Sequence, residues 1–532
     1  MNSGIKRFIQ QGFFVSLIFA LLLPVQFVAA DDIQETQGFR KHVTLAGIRE
    51  HQTAFQDFSD ENGGNRVAGS PGYDASAQYV YDRMVAAGYN VSFQEFTFNF
   101  NGDASAPALE QISPTPTVYV DGVDYDSMTF SGSGDVTAPL IALDLLVPSP
   151  APDTSTTGCE AGDFAGFPAG GLALMQRGTC GFVVKLQNAQ AAGAVGIIVF
   201  NEGDSPARSV LNLGTLGTQQ TLPSVTTTFA LGNTLRNGVL NGPTGVTMRL
   251  KVETFVGQRT TRNVIAETPG GDPNRVVVIG AHLDSVTRGP GINDNGSGSA
   301  TILEVAEVFV EQGRIPRNKL RFIWFGAEEL PPALIGSTFY VNSLSQAERD
   351  RIELMLNFDM IGSPNFVRFV YDGDNSSFPV GPGAALGPAG SGTIEQVFND
   401  YFDSQGLAKS PTPFSGRSDY GPFIAVGIPA GGLFTGAEGI KTPAEAATYG
   451  GTAGQQYDPC YHLACDTLSG TGTQFALTGL DQMSDAVAHA VVLFSKRNFD
   501  KQPLAPPASA FSAHSNVTSD FSHSHEEEPE PK

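Results

Sequence analysis

Between residues 74 and 84, apolar side chains fall at Ala77, Val80, Tyr81 and Met84, a spacing that places them on one face of a helix. Gly88 ends that helix, and Val91, Phe93, Phe96 and Phe98 then alternate as in a strand, with one break in step. Residues 40–100 thus read as helix, loop, helix, strand. From about 125 to 250 the pattern changes to short apolar runs separated by Gly, Pro and Thr clusters. These runs, Leu172–Gln176, Val195–Phe200 and Val246–Val252, predict strands, with one helix over Val183–Ala192. Beyond 260, strands and helices alternate. Arg275–Ala281 carries the β-branched run of a strand buried on both faces, and Leu320–Phe325 and Leu354–Phe358 are further short buried strands. Ala300–Glu311 is an amphipathic helix with Ile302, Val305, Ala306 and Phe309 inward, and the last helix covers Leu477–Arg497. This order predicts an α/β fold: a mainly parallel, mixed sheet with helices on both faces, interrupted by a β-rich insert.

Composition narrows the class. The 532 residues suffice for two or three domains, and 41% hydrophobic with 16% charged residues describes a globular chain with a large core. A formal charge of −23 repels nucleic acid and so excludes general phosphate-backbone binding, while it suits cation capture. At the N-terminus, Lys6 and Arg7 precede an apolar run from Phe13 to Val25, and Val28-Ala29-Ala30 supplies small residues before Asp31. That order predicts an export signal over residues 1–30, cleaved near Ala30, and a secreted or periplasmic protein. Pro24 and Gln26 hold the apolar run below the roughly 18–20 residues of a membrane span, so no stable anchor is expected after cleavage. After Lys501 the chain is rich in Pro, Ser and His, which predicts a disordered tail over 501–532. The four cysteines contain no CxxC pair, so a cysteine zinc site or redox pair is a poor reading. In an oxidising compartment, proximity favours the bridges Cys159–Cys180 and Cys460–Cys465.

Candidate chemistry collects where the predicted strands end. The first ends in Ala281-His282-Leu283-Asp284-Ser285, the second in Phe325-Gly326-Ala327-Glu328-Glu329, and the third in Asn357-Phe358-Asp359-Met360. Between the first strand and its helix lies Gly291-Ile292-Asn293-Asp294-Asn295-Gly296. Parallel sheets bind ligands beyond the carboxyl ends of their strands, so four segments deliver His282, Asp294, Glu328 with Glu329, and Asp359 to one place. Carboxylates packed together repel unless cations sit among them. Imidazole and carboxylate ligands together suit zinc, with cobalt or manganese as substitutes. A single strand-end aspartate is more often a turn or cap residue, and a lone histidine more often structural. Five such positions in order, each at a strand-to-loop junction, outweigh that reading.

At these residues the chain resembles the co-catalytic two-zinc aminopeptidases, particularly secreted bacterial members and vacuolar ones that carry a protease-associated domain. The resemblance runs from Gly63-Gly64-Asn65-Arg66 and Gly69-Ser70-Pro71-Gly72 to Tyr457-Asp458-Pro459-Cys460-Tyr461-His462-Leu463-Ala464-Cys465-Asp466. It implies a zinc peptidase fold and two Zn2+ per chain. Asp294 would bridge both ions, His282 and Asp359 would complete one site, and Glu329 and His462 the other. Asp284 would orient the ring of His282, Glu328 would be the general base, and the Tyr461 hydroxyl would stabilise the oxyanion. The implied reaction is hydrolysis of the N-terminal peptide bond of peptides with a free N-terminus, through a metal-bridging hydroxide. Glu328 and Asp359 would accept the α-ammonium group. Arg417, in Gly416-Arg417-Ser418-Asp419, and Phe434, in Gly432-Leu433-Phe434-Thr435-Gly436, fall where the family lines its substrate pocket; with Met360 they imply apolar first residues.

The stretch Ala173–Phe182, with Lys185, Ala189 and Ala192–Asn201, resembles the protease-associated domain. It is expected over 126–249, dividing the peptidase domain into 31–125 and 250–500. No catalytic residue follows from it; structural insert and substrate gate are both open. One departure from the family is the segment after Glu329. In place of a compact Gly-rich turn it carries Pro331 and Pro332, which remove backbone donors and stiffen the loop. Carboxypeptidases, dipeptidases and glutaminyl cyclases share the same metal cage, but the 416–419 and 460–465 loops favour an aminopeptidase. A catalytically dead binding protein is disfavoured because all five ligands and the base are present, and an adhesive role for the insert is a further alternative.

Overall fold

The apolar runs become strands of one mixed sheet in the computed structural model of the chain, which describes residues 30–499 apart from positions 152, 206, 207 and 213. The expected tail over 501–532 lies outside the described residues, as does the expected export signal over 1–30 apart from Ala30. A long ribbon comes first, with β1 (Asn90–Ser113) antiparallel to β2 (Gly242–Glu267). Then follow β3 (Asp272–His282), β4 (Asn318–Phe325), β5 (Ile352–Phe358) and β6 (Ala430–Phe434). Their lateral order is β6-β5-β3-β4-β2, parallel throughout except for β4 against β2.

Strand alternation divides the apolar side chains between two helical layers. Val277, Ile279 and Ala281 of β3 and Leu320, Phe322 and Trp324 of β4 pack beneath α1 (Leu45–Glu61), α2 (Pro71–Ala86), α3 (Gly296–Glu311) and α4 (Gln474–Lys496). Val276, Val278, Ile323 and Phe325 face the other way, towards helices Ile335–Ser343 and Tyr420–Ala425. Coverage of both faces is why these strands read as near-continuous apolar runs. The helices start where local chemistry dictates. Ser70 accepts from the Tyr73 N–H ahead of α2, with Pro71 in its first turn, and Asn295 accepts from the Gly298 N–H ahead of α3.

The insert extends the same sheet with strands Gly134–Ala142, Leu172–Gln176, Gly196–Phe200, Ser224–Thr227 and Tyr125–Ser127, around cores of its own. Its helix covers Phe182–Ala191. The strand expected over Val91–Phe98 is a part of the much longer β1, and Val246–Val252 a part of β2. Around Asn101-Gly102-Asp103 no core covers either side of the ribbon, so no hydrophobic alternation marks its length. Disulfides join Cys159 to Cys180 and Cys460 to Cys465, as expected. Among the described residues, no helix is long and apolar enough to cross a membrane.

Candidate active site

The carboxyl ends of β3, β4 and β5 converge. His282 is the last residue of β3 and Asp359 follows β5 directly, while Glu328 and Glu329 sit in the turn after β4, where Ala327 adopts φ +58°. Asp294 lies just before α3. His462, also left-handed at φ +58°, is held inside the short loop closed by Cys460–Cys465.

These side chains form two three-membered groups that share one carboxylate. His282 Nε2 is 3.3 Å from Asp294 Oδ1 and 3.3 Å from Asp359 Oδ1. His462 Nε2 is 3.2 Å from Asp294 Oδ2 and 3.0 Å from Glu329 Oε2. Donor atoms around a tetrahedral zinc, each about 2.0–2.1 Å from the ion, lie about 3.3 Å from one another. Both groups therefore have the spacing of a ligand shell, and the donor set of imidazole plus carboxylate suits that ion. Among the described residues, the buried oxygens Glu329 Oε1 and Asp359 Oδ1 have no well-aligned hydrogen-bond donor, and the nearest approach to Asp359 Oδ1 is the 3.3 Å contact of His282, as expected of atoms meant for a cation. His282, Glu328 and Glu329 make a further group of potential donors within 4.8 Å of one another.

The protein groups alone set a strained electrostatic balance. Burial would raise the Asp294 carboxyl, but hydrogen bonds to His282 and His462 hold it well below the usual range. Against burial, Glu329 and Asp294 lift His462 to about 10. Burial pushes Glu329 up to about 7, with Asp294 adding repulsion. Burial also pushes Glu328 well above the ordinary range, reinforced by Glu329, Asp419 and Asp359.

Supporting residues fix this geometry. Asp284, fully buried, accepts the N–H of Glu328 at 3.1 Å and of Glu329 at 3.2 Å, so it orders both glutamates. Its carboxylate is 3.7 Å from His282 Nδ1, and its own carbonyl is closer, at 3.2 Å. The Tyr461 ring stacks on His462 with centroids 3.8 Å apart, and its hydroxyl accepts from Arg417 at 3.2 Å. Arg417 also pairs with Glu438 at 2.8 Å. Met360 is buried, with its N–H donated to Asn295 at 3.2 Å, and Phe434 stacks on Phe369 at 6.0 Å.

Several site-building residues carry no mark in the local sequence. Asp466 accepts the N–H of Asn293 at 2.7 Å and of Asp294 at 3.0 Å, clamping the shared carboxylate's backbone. Ser418 donates to Asp359 at 2.6 Å, so the 416–419 loop reaches the cluster through Ser418 as well as through Arg417. Arg66 is buried beneath the loop between His282 and Asp294 and donates to Pro290 O and Gly291 O at 2.8 and 2.7 Å. Both Arg66 and Asp466 stand inside the strings that carry the family resemblance, the one signal that could have singled them out.

Known proteins share this arrangement of segments. Peptidase family M28 matches residues 263–491, and the PA domain matches residues 136–235. The chain is 46% identical over 452 residues to "Aminopeptidase" of Pseudomonas aeruginosa (strain UCBPP-PA14), covering 85% of this chain and 81% of that protein. It is 40% identical over 443 residues to "Leucine aminopeptidase 2" of Trichophyton tonsurans, covering 83% and 82%. Among solved structures, the aminopeptidase from Aneurinibacillus sp. strain AM-1 aligns with 27% identity and a TM-score of 0.62 over 89% of this chain and 100% of that one. A zinc aminopeptidase from Bacillus subtilis shares the fold at 24% identity and a TM-score of 0.62, covering 86% and 95%. With this likeness spanning most of its length, the chain belongs to peptidase family M28, as an aminopeptidase with an inserted PA domain.

Proposed function

We propose that the chain is an exported, two-zinc aminopeptidase that removes apolar first residues from peptides with a free N-terminus. The observation that carries this reading is the position of Asp294, one oxygen towards His282 and the other towards His462. One carboxylate spanning two ligand groups suits a pair of ions. His282 and Asp359 would hold one, Glu329 and His462 the other, with Asp294 common to both. When bound, such a pair lowers the pKa of a water between them towards neutrality and polarises the carbonyl under attack.

The rest falls to the chain. Glu328, beside the cluster and pushed up by burial, takes the proton from the attacking water and returns it to the leaving amine. The Tyr461 hydroxyl, oriented by Arg417, donates to the developing oxyanion. Glu328 and Asp359 accept the α-ammonium group and so demand a free N-terminus. Met360, Arg417 and Phe434 shape the pocket for the first side chain. Export is supported by the two disulfides and by the basic, apolar and small order of residues 1–30.

The test combines metal analysis with a substrate panel. Two zinc ions per chain, loss of activity with chelator, and cleavage of leucine p-nitroanilide and free-amine peptides are expected, with N-acetylated peptides left intact. Glu328→Gln should lower kcat by about 10²–10⁴-fold while both metals stay bound. Equal cleavage of blocked and free peptides, or an active Glu328→Gln enzyme, would sink the reading.

A further inference from the structure

A cavity of about 350 Å³ opens between the ribbon, the insert and the metal cluster. Glu329 and His462 line it, whereas Met360, Arg417 and Phe434 do not. The first residue's proposed pocket therefore lies elsewhere, and this cavity is on the Glu329–His462 side of the cluster, apart from it. Its volume falls in the roughly 300–1,000 Å³ range of ligand sites.

Charge in the cavity is unevenly satisfied. Asp103 accepts the Ser127 hydroxyl proton, with Oγ 3.0 and 2.8 Å from its two carboxylate oxygens, and Asp126 is ion-paired with Arg288 of the loop between His282 and Asp294. Arg259 on β2 is the one arginine or lysine lining the cavity, and among the described residues no carboxylate or carbonyl pairs with it. Its guanidinium carbon sits 3.3 Å from the centre of the Phe100 ring, which holds the group over that face. A Cβ at Gly69 would lie 3.2 Å from Arg259 Cβ and Cδ, so the glycine leaves room for the stem to lie flat. A stacked, half-buried guanidinium with free donors is preorganised for a planar anion.

We propose that this cavity receives the part of the substrate beyond the bond to be cut, and that Arg259 binds a carboxylate there. That carboxylate is either the C-terminus of a short peptide or an acidic side chain. The inference rests on the aminopeptidase reading above and adds a preference that the family's metal chemistry does not supply.

The zinc-loaded full chain and its Arg259→Ala, Arg259→Glu and Arg259→Lys variants are compared on four substrates: Leu-Gly-Gly, Leu-Gly-Gly amide, Leu-Glu-Gly amide and leucine p-nitroanilide. Arg259→Ala should raise KM by roughly tenfold or more for a substrate with a carboxylate in reach, with kcat little changed, since hydrogen bonds between ionised groups are the strong ones. Leu-Gly-Gly amide and leucine p-nitroanilide should stay within about twofold. Arg259→Glu should be worse than Ala on the same substrates, and Arg259→Lys should keep most of the preference. Loss confined to Leu-Gly-Gly identifies the C-terminus, and loss confined to Leu-Glu-Gly amide the side chain. In the unmodified enzyme, the advantage of acid over amide should shrink as salt is raised, a readout that needs no variant. Equal losses on substrates with and without a carboxylate, or no loss on any of them, would overturn the proposal. Failure of the unmodified enzyme to cleave leucine p-nitroanilide would instead strike the aminopeptidase reading.

Discussion

Replacing Arg66 should loosen the metal cluster without touching any ligand. Its guanidinium is fully buried above Phe55 and donates to the carbonyls of Leu283, Pro290 and Gly291, all within the loop from His282 to Asp294. Its backbone N–H donates to Ser285 Oγ at 2.9 Å. Burial pulls the group down to about 10 against the opposing charges of Asp284, Asp466 and Asp294, so it remains a cation at neutral pH. Arg66→Met keeps the length and leaves the buried carbonyls of Leu283 and Pro290 without a donor, each at a cost of about 1–3 kcal/mol, while Gly291 O keeps the N–H of Gly296 at 3.0 Å. Removal of a desolvated charge offsets part of this, for a net loss of about 3–5 kcal/mol, comparable with breaking a buried ion pair. With an unfolding entropy of about 2.1 cal/mol/K per residue over a unit this large, each kcal/mol is worth about 1–1.5 °C, so Tm should fall by roughly 3–8 °C. Because the lost bonds anchor the loop that presents Asp294, zinc affinity should fall as well. Arg66→Lys should also be poor, since one ammonium cannot reach three carbonyls in a plane. Denaturant unfolding in saturating zinc, followed by metal titration, measures both effects. An Arg66→Met protein within about 1 kcal/mol of the parent, with unchanged zinc binding, would refute this account.

Two further outcomes test other parts of the molecule. Cys465→Ser should release the loop that holds Tyr461 and His462; bound zinc should fall from two ions towards one, with a stability loss near 2 kcal/mol for so short a loop. Unchanged zinc titration would contradict the loop's role. His489, buried in α4 with Nδ1 2.8 Å from Thr36 Oγ1, has its pKa pushed down to about 4 by burial and then by Arg40. The unfolded imidazole takes a proton near 6.5, so between these values the unfolded state binds more protons and stability falls as pH falls, by up to about 3 kcal/mol. His489→Gln should lack that slope, and a pH-independent stability difference between the two proteins from 7 to 4 would show the assignment to be mistaken.

The strands β3, β4 and β5 and helix α3 were legible because burial on both faces writes itself into composition, and the convergence of His282, Asp294, Glu328, Glu329 and Asp359 because such sheets gather side chains at their strand ends; His462 came only through the family resemblance. Ribbon length was hidden, since around Asn101–Asp103 no core imposes a two-residue period. Arg66, Asp466 and Ser418 were equally hidden as builders of the site. Arg66 and Asp466 act on backbone atoms between 172 and 225 positions away, and Ser418 on Asp359, 59 positions away. Arg259 reads simply as a polar position on an exposed strand until Phe100 and the cavity come together in space.

Because β1 and β2 stay paired from Asn90–Glu267 to Ser113–Thr247, the PA domain is carried on a two-armed beam rather than a tether. Excision at 126 and 249 would therefore leave a protruding hairpin stump stripped of its neighbouring strands. A cleaner truncation cuts both arms at facing positions, such as Asn99 and Gln258, and closes them with a tight Asn-Gly turn. The same stiffness gives any macromolecule gripping the far lobe leverage on Glu267, whose strand mate Arg321 lies in β4, ahead of Glu328 and Glu329.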